Sequence, residues 1–318
     1  MRPRSLSPPS PSRTRGTPQL VRETKVRGAR PSPVRAVWVK ARGALAAAKN
    51  GSAALDTDLL LAHALGVNRE YLHAHPERPL TDGEQLTFDE YVRRRVGREP
   101  LAYIVGKREF YGLNLHIDRC VLVPRPATEC LVDLALAWWR AEAAPASPVT
   151  DPALIVEAGT GSGAIALALA ANLPDAVVVA GECSAAAARV AAENSRRLNL
   201  HHRVHVVVAD LQPPTGPIPL LVVANLPYVP SDEIDRLEPE IRDHEPRPAL
   251  DGGPDGFDIY RRFLSQVRVQ AGGAVFIEIG HDQAALVRHA AATRGDRLKV
   301  DITPDLEGFH RVALISGW

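Results

Sequence analysis

The chain has 318 residues, 45% of them apolar, with 38 Lys/Arg against 37 Asp/Glu. That length exceeds a usual single domain, and no apolar run approaches the roughly 18 residues of a membrane span, so a two-domain soluble protein with no membrane contact is expected. Its three cysteines (Cys120, Cys130 and Cys183) lack ligand spacing, which argues against a metal centre or a disulfide framework and fits a reducing, cytoplasmic setting.

The charge is unevenly placed. Residues 1–35 carry nine Lys/Arg and one Glu, leaving 29 basic and 36 acidic residues for 36–318, a balance of −7. An acidic body opposes broad contact with a phosphate backbone, so no direct nucleic-acid binding by the folded part is expected. The first 35 residues are rich in Arg, Pro and Ser and cannot bury enough surface to offset their ordering entropy. They read as a disordered tail, inert or misassigned before all else, since Met1 is the only methionine. An interaction arm comes second, and a transit peptide third because its prolines oppose an amphipathic helix.

Residues 36–105 read as small helices. Ala36–Ala48 stops at Asn50-Gly51; Leu55, Leu59, Leu60, Ala64 and Leu65 form an apolar face closed by Gly66. Thr81 and Glu84 have capping-box spacing, and Arg93-Arg94-Arg95 reads as a solvated face, with substrate docking as the alternative. Nothing catalytic appears, so a helical substrate-recognition domain is expected. Alternating apolar positions within 106–126 predict a hairpin linker. Thr128 and Glu129 open a helix running through Trp138 and Trp139, both expected in packing, and 141–152 is a Pro/Ala-rich loop.

From Ala153 strand and helix patterns alternate: Ala153–Ala158, Ser162–Asn172, Val177–Glu182, Ala185–Asn199, Val204–Asp210 and Leu220–Asn225. This predicts a doubly wound parallel sheet over 127–318, finished by a helix, a strand, a helix and two antiparallel strands.

In such a sheet chemistry sits at the carboxyl ends of strands. The turn Glu157-Ala158-Gly159-Thr160-Gly161-Ser162-Gly163 brings backbone and a helix N-terminus close to a ligand. Glu182 ends the second strand, where an acid accepts from ribose hydroxyls, and Asp210 ends the third, where a carboxylate suits an adenine amino group; helix capping is the bland alternative for both. A glycine turn alone also serves dinucleotides. Glu157 favours S-adenosylmethionine over NAD, because a carboxylate suits an ammonium and repels a pyrophosphate. The fourth strand then ends in Asn225-Leu226-Pro227-Tyr228. Asn225 offers a side-chain carbonyl, Pro227 stiffens the turn and fixes the Leu226 carbonyl, and Tyr228 supplies a flat wall. Two fixed acceptors beside an aromatic plane suit a planar amino group. A plain strand followed by a proline turn is the alternative.

This turn resembles the Asn-Pro-Pro-Tyr signature of methyltransferases acting on amide or amino nitrogens. Together with Arg98–Gly106, Glu109–Gly112, Val123–Glu129, Glu245–Gly256 and Glu307–Val312, it resembles the HemK/PrmC family of protein-(glutamine-N5) methyltransferases over nearly all of 36–318. The resemblance implies a helical N-terminal domain, a hairpin linker and a class I, Rossmann-like methyltransferase domain with a seven-stranded sheet. It implies S-adenosylmethionine bound by Gly159, Gly161, Gly163 and Glu182, and a target amide held by Asn225 and the turn 226–228. Its substrates are glutamines in proteins, in class-1 peptide release factors or in a ribosomal protein; a monomer is the default. Leu226 stands where the family usually has Pro, so Leu226→Pro is expected to be neutral or activating. Glu157 and Glu182 stand where Asp is frequent. Asn-Leu-Pro-Tyr is also typical of ribosomal RNA adenine-N6 dimethyltransferases, the runner-up chemistry; a non-catalytic paralogue binding a translation factor is the alternative from another class.

Overall fold

Five helices open the folded chain: α1 (Val34–Ala47), α2 (Ala53–Leu65), α3 (Arg69–Ala74), α4 (Asp82–Val96) and α5 (Leu101–Val105). The computed structural model describes residues 32–143, 153–294, 298–305 and 308–318, so residues 1–31 of the expected tail, most of the 141–152 loop and Glu307 lie outside the described residues. Helix α1 starts two residues before the predicted Ala36. Val34 is buried and its N–H donates to the Arg78 carbonyl at 2.9 Å, so the folded part reaches into the segment assigned to the tail.

Helix α4 begins with the expected capping box: Thr81 Oγ1 accepts from Glu84 N at 3.2 Å, and Glu84 Oε2 accepts from Thr81 N at 2.8 Å. Gly66 ends α2 at φ +66°, a conformation cheap only for glycine. The buried face of α2 differs from the predicted one. Leu60 and Leu61 are buried with Asp56 and Thr57, while Leu55 is 44% exposed. The reason is polar: Asp56 is drawn inward by Arg95 of α4, whose Nε lies 2.7 Å from Asp56 Oδ2. The arginine run is thus no uniform solvated face. Arg93 pairs with Glu90 in water, Arg94 forks onto the buried Glu99 at 2.7 and 2.9 Å, and Arg95 is itself buried.

The hairpin β1 (Lys107–Phe110) and β2 (Leu113–His116) turns at Tyr111-Gly112, both at positive φ. Phe110, Leu115 and Ile117 enter the core of the sheet domain, so the expected linker is part of that core. Helix α6 (Glu129–Trp138) follows, and Trp138 meets Phe276 edge-on.

The chain then alternates through β3 (Ala153–Ala158), α7 (Ala164–Asn172), β4 (Ala176–Glu182), α8 (Ala185–Arg197), β5 (Val204–Val208) and β6 (Leu221–Ala224). After the short helix α9 (Pro239–Arg242) come α10 (Asp258–Gln266), β7 (Ala274–Glu278), α11 (Ala284–Thr293), β8 (Lys299–Pro304) and β9 (His310–Ser316). The seven strands lie in the order β5-β4-β3-β6-β7-β9-β8, parallel except for β9. Strand residues alternate between two cores. Ile155, Leu221 and Val223 join α6, α7 and α8 on one face, while Val156, Val222 and Ala224 join α10 and α11 on the other. The order reverses between β3 and β6, and a crevice opens at that switch point beyond their carboxyl ends.

Candidate active site

A cavity of about 250 Å³ occupies this crevice. Glu157, Gly159, Thr160, Gly161, Glu182, Asp210, Asn225, Leu226 and Pro227 all line it. Gly163 and Tyr228 stand outside the lining. Gly163 sits at φ +85°, and a Cβ there would press on Leu167 at 3.1 Å and Ala191 at 3.3 Å, so its place is one of close helix packing.

The glycine turn is folded back on its own sheet. The N–H groups of Gly159 and Thr160 both donate to the Gly181 carbonyl at 2.9 Å, Gly161 N donates to Glu182 Oε2 at 2.9 Å, and Gly163 N donates to the Thr160 carbonyl at 2.8 Å. These donors are spent within the protein, so the turn is poorly suited to cradle a pyrophosphate. Glu182 Oε1 accepts from Ser184 N at 2.9 Å, so its extra methylene reaches back to tie both loop ends. Oε1 also accepts from the Cys183 thiol at 3.5 Å, so it is Oε2 that keeps a second lone pair for a ligand hydroxyl.

Glu157 is buried at the base of the cavity. Its Oε2 accepts from the Thr160 hydroxyl and from Ala166 N at 3.1 Å, while Oε1 accepts no hydrogen bond among the described residues. Loss of water pushes its carboxyl up to about 7, opposed by those two donors. A buried carboxylate with no cation beside it among the described residues fits an incoming ammonium. Asp210 lies two residues beyond β5, is 64% exposed on its side chain, and pairs with Arg262 at 2.9 Å.

The turn after β6 is held by four residues distant in sequence, one of them Gln283, whose Nε2 donates to the Tyr228 carbonyl at 3.0 Å. Asn225 Nδ2 donates to Thr128 Oγ1 at 3.2 Å, and its Oδ1 accepts no hydrogen bond among the described residues. Leu226 N donates to the Tyr260 hydroxyl at 3.0 Å, and that hydroxyl donates to the Glu278 carbonyl. The Tyr228 hydroxyl donates to Glu278 Oε1 at 3.1 Å. Leu226 Cδ2 would lie 2.8 Å from a Cβ at Gly159, so the bare glycine makes room for this leucine. The leucine peptide is thus tethered by its own N–H, a bond that proline cannot make, so Leu226→Pro would lose this tether whatever it does to turnover.

Residues 36–106 match the PrmC N-terminal domain family. A release factor glutamine methyltransferase of Caulobacter vibrioides is 37% identical over 284 residues, which cover 87% of this chain and 94% of that protein. The chain belongs to the release factor glutamine methyltransferase family. A second member, from Bradyrhizobium diazoefficiens, is 40% identical over 272 residues, covering 84% of this chain and 89% of that protein. Among solved structures, the hMettl16 catalytic domain in complex with MAT2A 3′UTR hairpin 6 superposes with a TM-score of 0.53 at 15% identity, over 72% of this chain and 82% of that one, which shows the shared fold.

In this family member the connection from 229 to 256 forms a cavity wall through Pro246, Pro248 and Ala249. Val229 N donates to the Leu250 carbonyl at 3.0 Å and closes its base. Its outer part is pinned to the N-terminal helices: Glu240 takes Arg95 at 3.0 Å and Arg98 at 2.5 Å. Arg125, beside the cavity, holds the buried Glu245 at 2.6 Å. Burial pushes the Glu245 carboxyl up, and the Arg125 guanidinium opposes the rise.

Sequence reasoning missed Thr128, Tyr260 and Glu278. For Glu278 a signal was present: an acid closes the otherwise apolar strand Ala274–Ile277. Thr128 was read as a helix opener, yet its side chain makes no cap.

Proposed function

We propose that this methyltransferase transfers a methyl group from S-adenosylmethionine to the side-chain amide nitrogen of a glutamine, in the Gly-Gly-Gln motif of a class-1 peptide release factor. One observation carries the reading: Asn225 presents an Oδ1 unpaired among the described residues at the cavity wall, beside a Leu226 peptide fixed through Tyr260. Membership of the family, and the activity for which its members are named, support the substrate.

The residues fit the cofactor. Glu157 suits its ammonium, Glu182 and Asp210 offer acceptors for hydroxyl and amino groups, and the occupied glycine-turn amides disfavour a dinucleotide. S-adenosylmethionine, when bound, supplies a methyl group made electrophilic by the sulfonium charge.

A carboxamide nitrogen is a poor nucleophile because its lone pair is delocalised. Asn225 Oδ1 and the Leu226 carbonyl each accept one N–H of the target, which turns the nitrogen toward the methyl donor. Both dipoles also stabilise the positive charge that grows on nitrogen. Catalysis is then positioning plus fixed dipoles. No base is required before transfer, since the alkylated amide sheds its extra proton readily to water. The N-terminal helices, tied to the wall 229–256, present the surface for the release factor.

The test is the mass of a purified class-1 release factor after incubation with this protein and S-adenosylmethionine. One added methyl on the Gly-Gly-Gln glutamine is the expected result. An unmodified release factor, with methyl found on a ribosomal protein glutamine or on ribosomal RNA, would overturn the substrate assignment.

A further inference from the structure

We propose that Thr128 is a positioning residue for the transfer: its hydroxyl, backed by Glu278, holds the Asn225 carboxamide with Nδ2 inward and Oδ1 toward the target nitrogen. The inference rests on the reading of Asn225 as acceptor for the target amide.

An asparagine side chain has a donor end and an acceptor end of nearly equal size. Only the acceptor end can take an N–H of the target; the donor end would face it with like partial charge. Something must therefore choose between two orientations related by a half-turn. The atom in contact with the inner end is Thr128 Oγ1, 3.2 Å from Asn225 Nδ2. A hydroxyl alone does not choose, because it can donate or accept.

Glu278 breaks the tie. It is buried, and its Oε1 already accepts from Tyr228. Its Oε2 is also buried and has no hydrogen-bond partner among the described residues. Burial raises the pKa of this carboxyl on balance; the Thr128 hydroxyl beside it, the Tyr228 hydroxyl and the cations Arg311 and Arg125 work against the rise. A buried oxygen without a donor and a hydroxyl beside it satisfy each other when the hydroxyl turns its single proton to Oε2. The remaining lone pairs of Oγ1 face Asn225, and only the NH₂ end can answer them. Thr128 is free for this duty because it does not cap α6. Glu278 thereby ties the whole turn: Asn225 through Thr128, Leu226 through Tyr260 and its own carbonyl, and Tyr228 directly.

Thr128→Val keeps the shape and removes the hydroxyl, and Thr128→Ser keeps the hydroxyl. With wild type alongside, Thr128→Val should lower kcat roughly 10- to 100-fold, as loss of a fixed polar contact does, with KM for both substrates changed less than about twofold. Thr128→Ser should recover most of kcat. A second readout does not need turnover. In protein labelled with ¹⁵N-asparagine, the Asn225 NH₂ pair, identified by its absence in Asn225→Asp, should be protected from solvent exchange in wild type and Thr128→Ser and exposed in Thr128→Val. Unchanged kcat, or a loss that serine fails to restore, would overturn the proposal, and so would unchanged exchange in Thr128→Val. If wild type methylates no glutamine, the functional reading fails, and the exchange measurement still decides the role of Thr128.

Discussion

Replacing Glu157 with glutamine separates what this carboxylate does to the fold from what it does for a ligand. Burial raises its pKa from 4.5 to about 7 in the folded chain. Between those values the folded state keeps a proton that the unfolded state has released, so this group's contribution to stability falls as pH rises across the window and is level above it. A rise from 4.5 to about 7 places about 3 kcal/mol on the ionised form. Glutamine carries no charge, and its carbonyl can still accept from Thr160 and Ala166. Relative to wild type, Glu157→Gln should therefore gain stability between pH 5 and pH 8, by up to about 3 kcal/mol, or on the order of 6 °C in Tm. Ligand binding should move the other way. Affinity for S-adenosylmethionine should fall roughly 10- to 100-fold at pH 8 from loss of a charge-assisted contact. Binding of 5′-methylthioadenosine, which lacks the amino-acid portion, should hold. Thermal melts at the two pH values and calorimetric titration with both ligands give the answer. A stability difference that ignores pH, or an equal loss for both ligands, would refute the reasoning.

Asn225→Ala should lower turnover by roughly 10²–10³-fold with little change in cofactor affinity, and near-wild-type turnover would remove Asn225 from the site. Leu226→Pro should cost about 1 kcal/mol in denaturant unfolding, since it removes the Leu226 N–H that donates to Tyr260, while turnover stays within a few-fold because the carbonyl remains; a more stable variant would contradict this account. Arg95→Ala should destabilise the chain by about 3–5 kcal/mol, because Asp56 and Glu240 lose the cation between them, and a loss under 1 kcal/mol would show that water replaces it.

Much of the sheet domain was legible because its strands are buried on both faces and read as short apolar runs: Ala153–Ala158 and Leu221–Ala224 fall where expected. The glycine turn and Asn225–Tyr228 were legible because the chain order itself carries them to strand ends. What stayed hidden was pairing across the fold. Thr128 meets Asn225 from 97 positions away, and Arg95 meets Glu240 from 145, so neither has a local sequence sign. The arginine run 93–95 shows the same limit: periodicity says which residues share a face, not which acid waits beneath them. Asp56 moved inward, and Leu55 outward, for that reason.

The ion pairs from Arg95 and Arg98 to Glu240 have a bearing on how relatives can be recombined. A chimera that takes residues 34–105 from one family member and the remainder from another would exchange one half of this charged seam without the other. Arg95 is only 8% exposed on its side chain, so a mismatch there strands a charge away from water. Where two relatives differ at Arg95 or Glu240, functional hybrids should arise only when the segment around Glu238–Glu240 travels with the helices, so that these two distant stretches are inherited together.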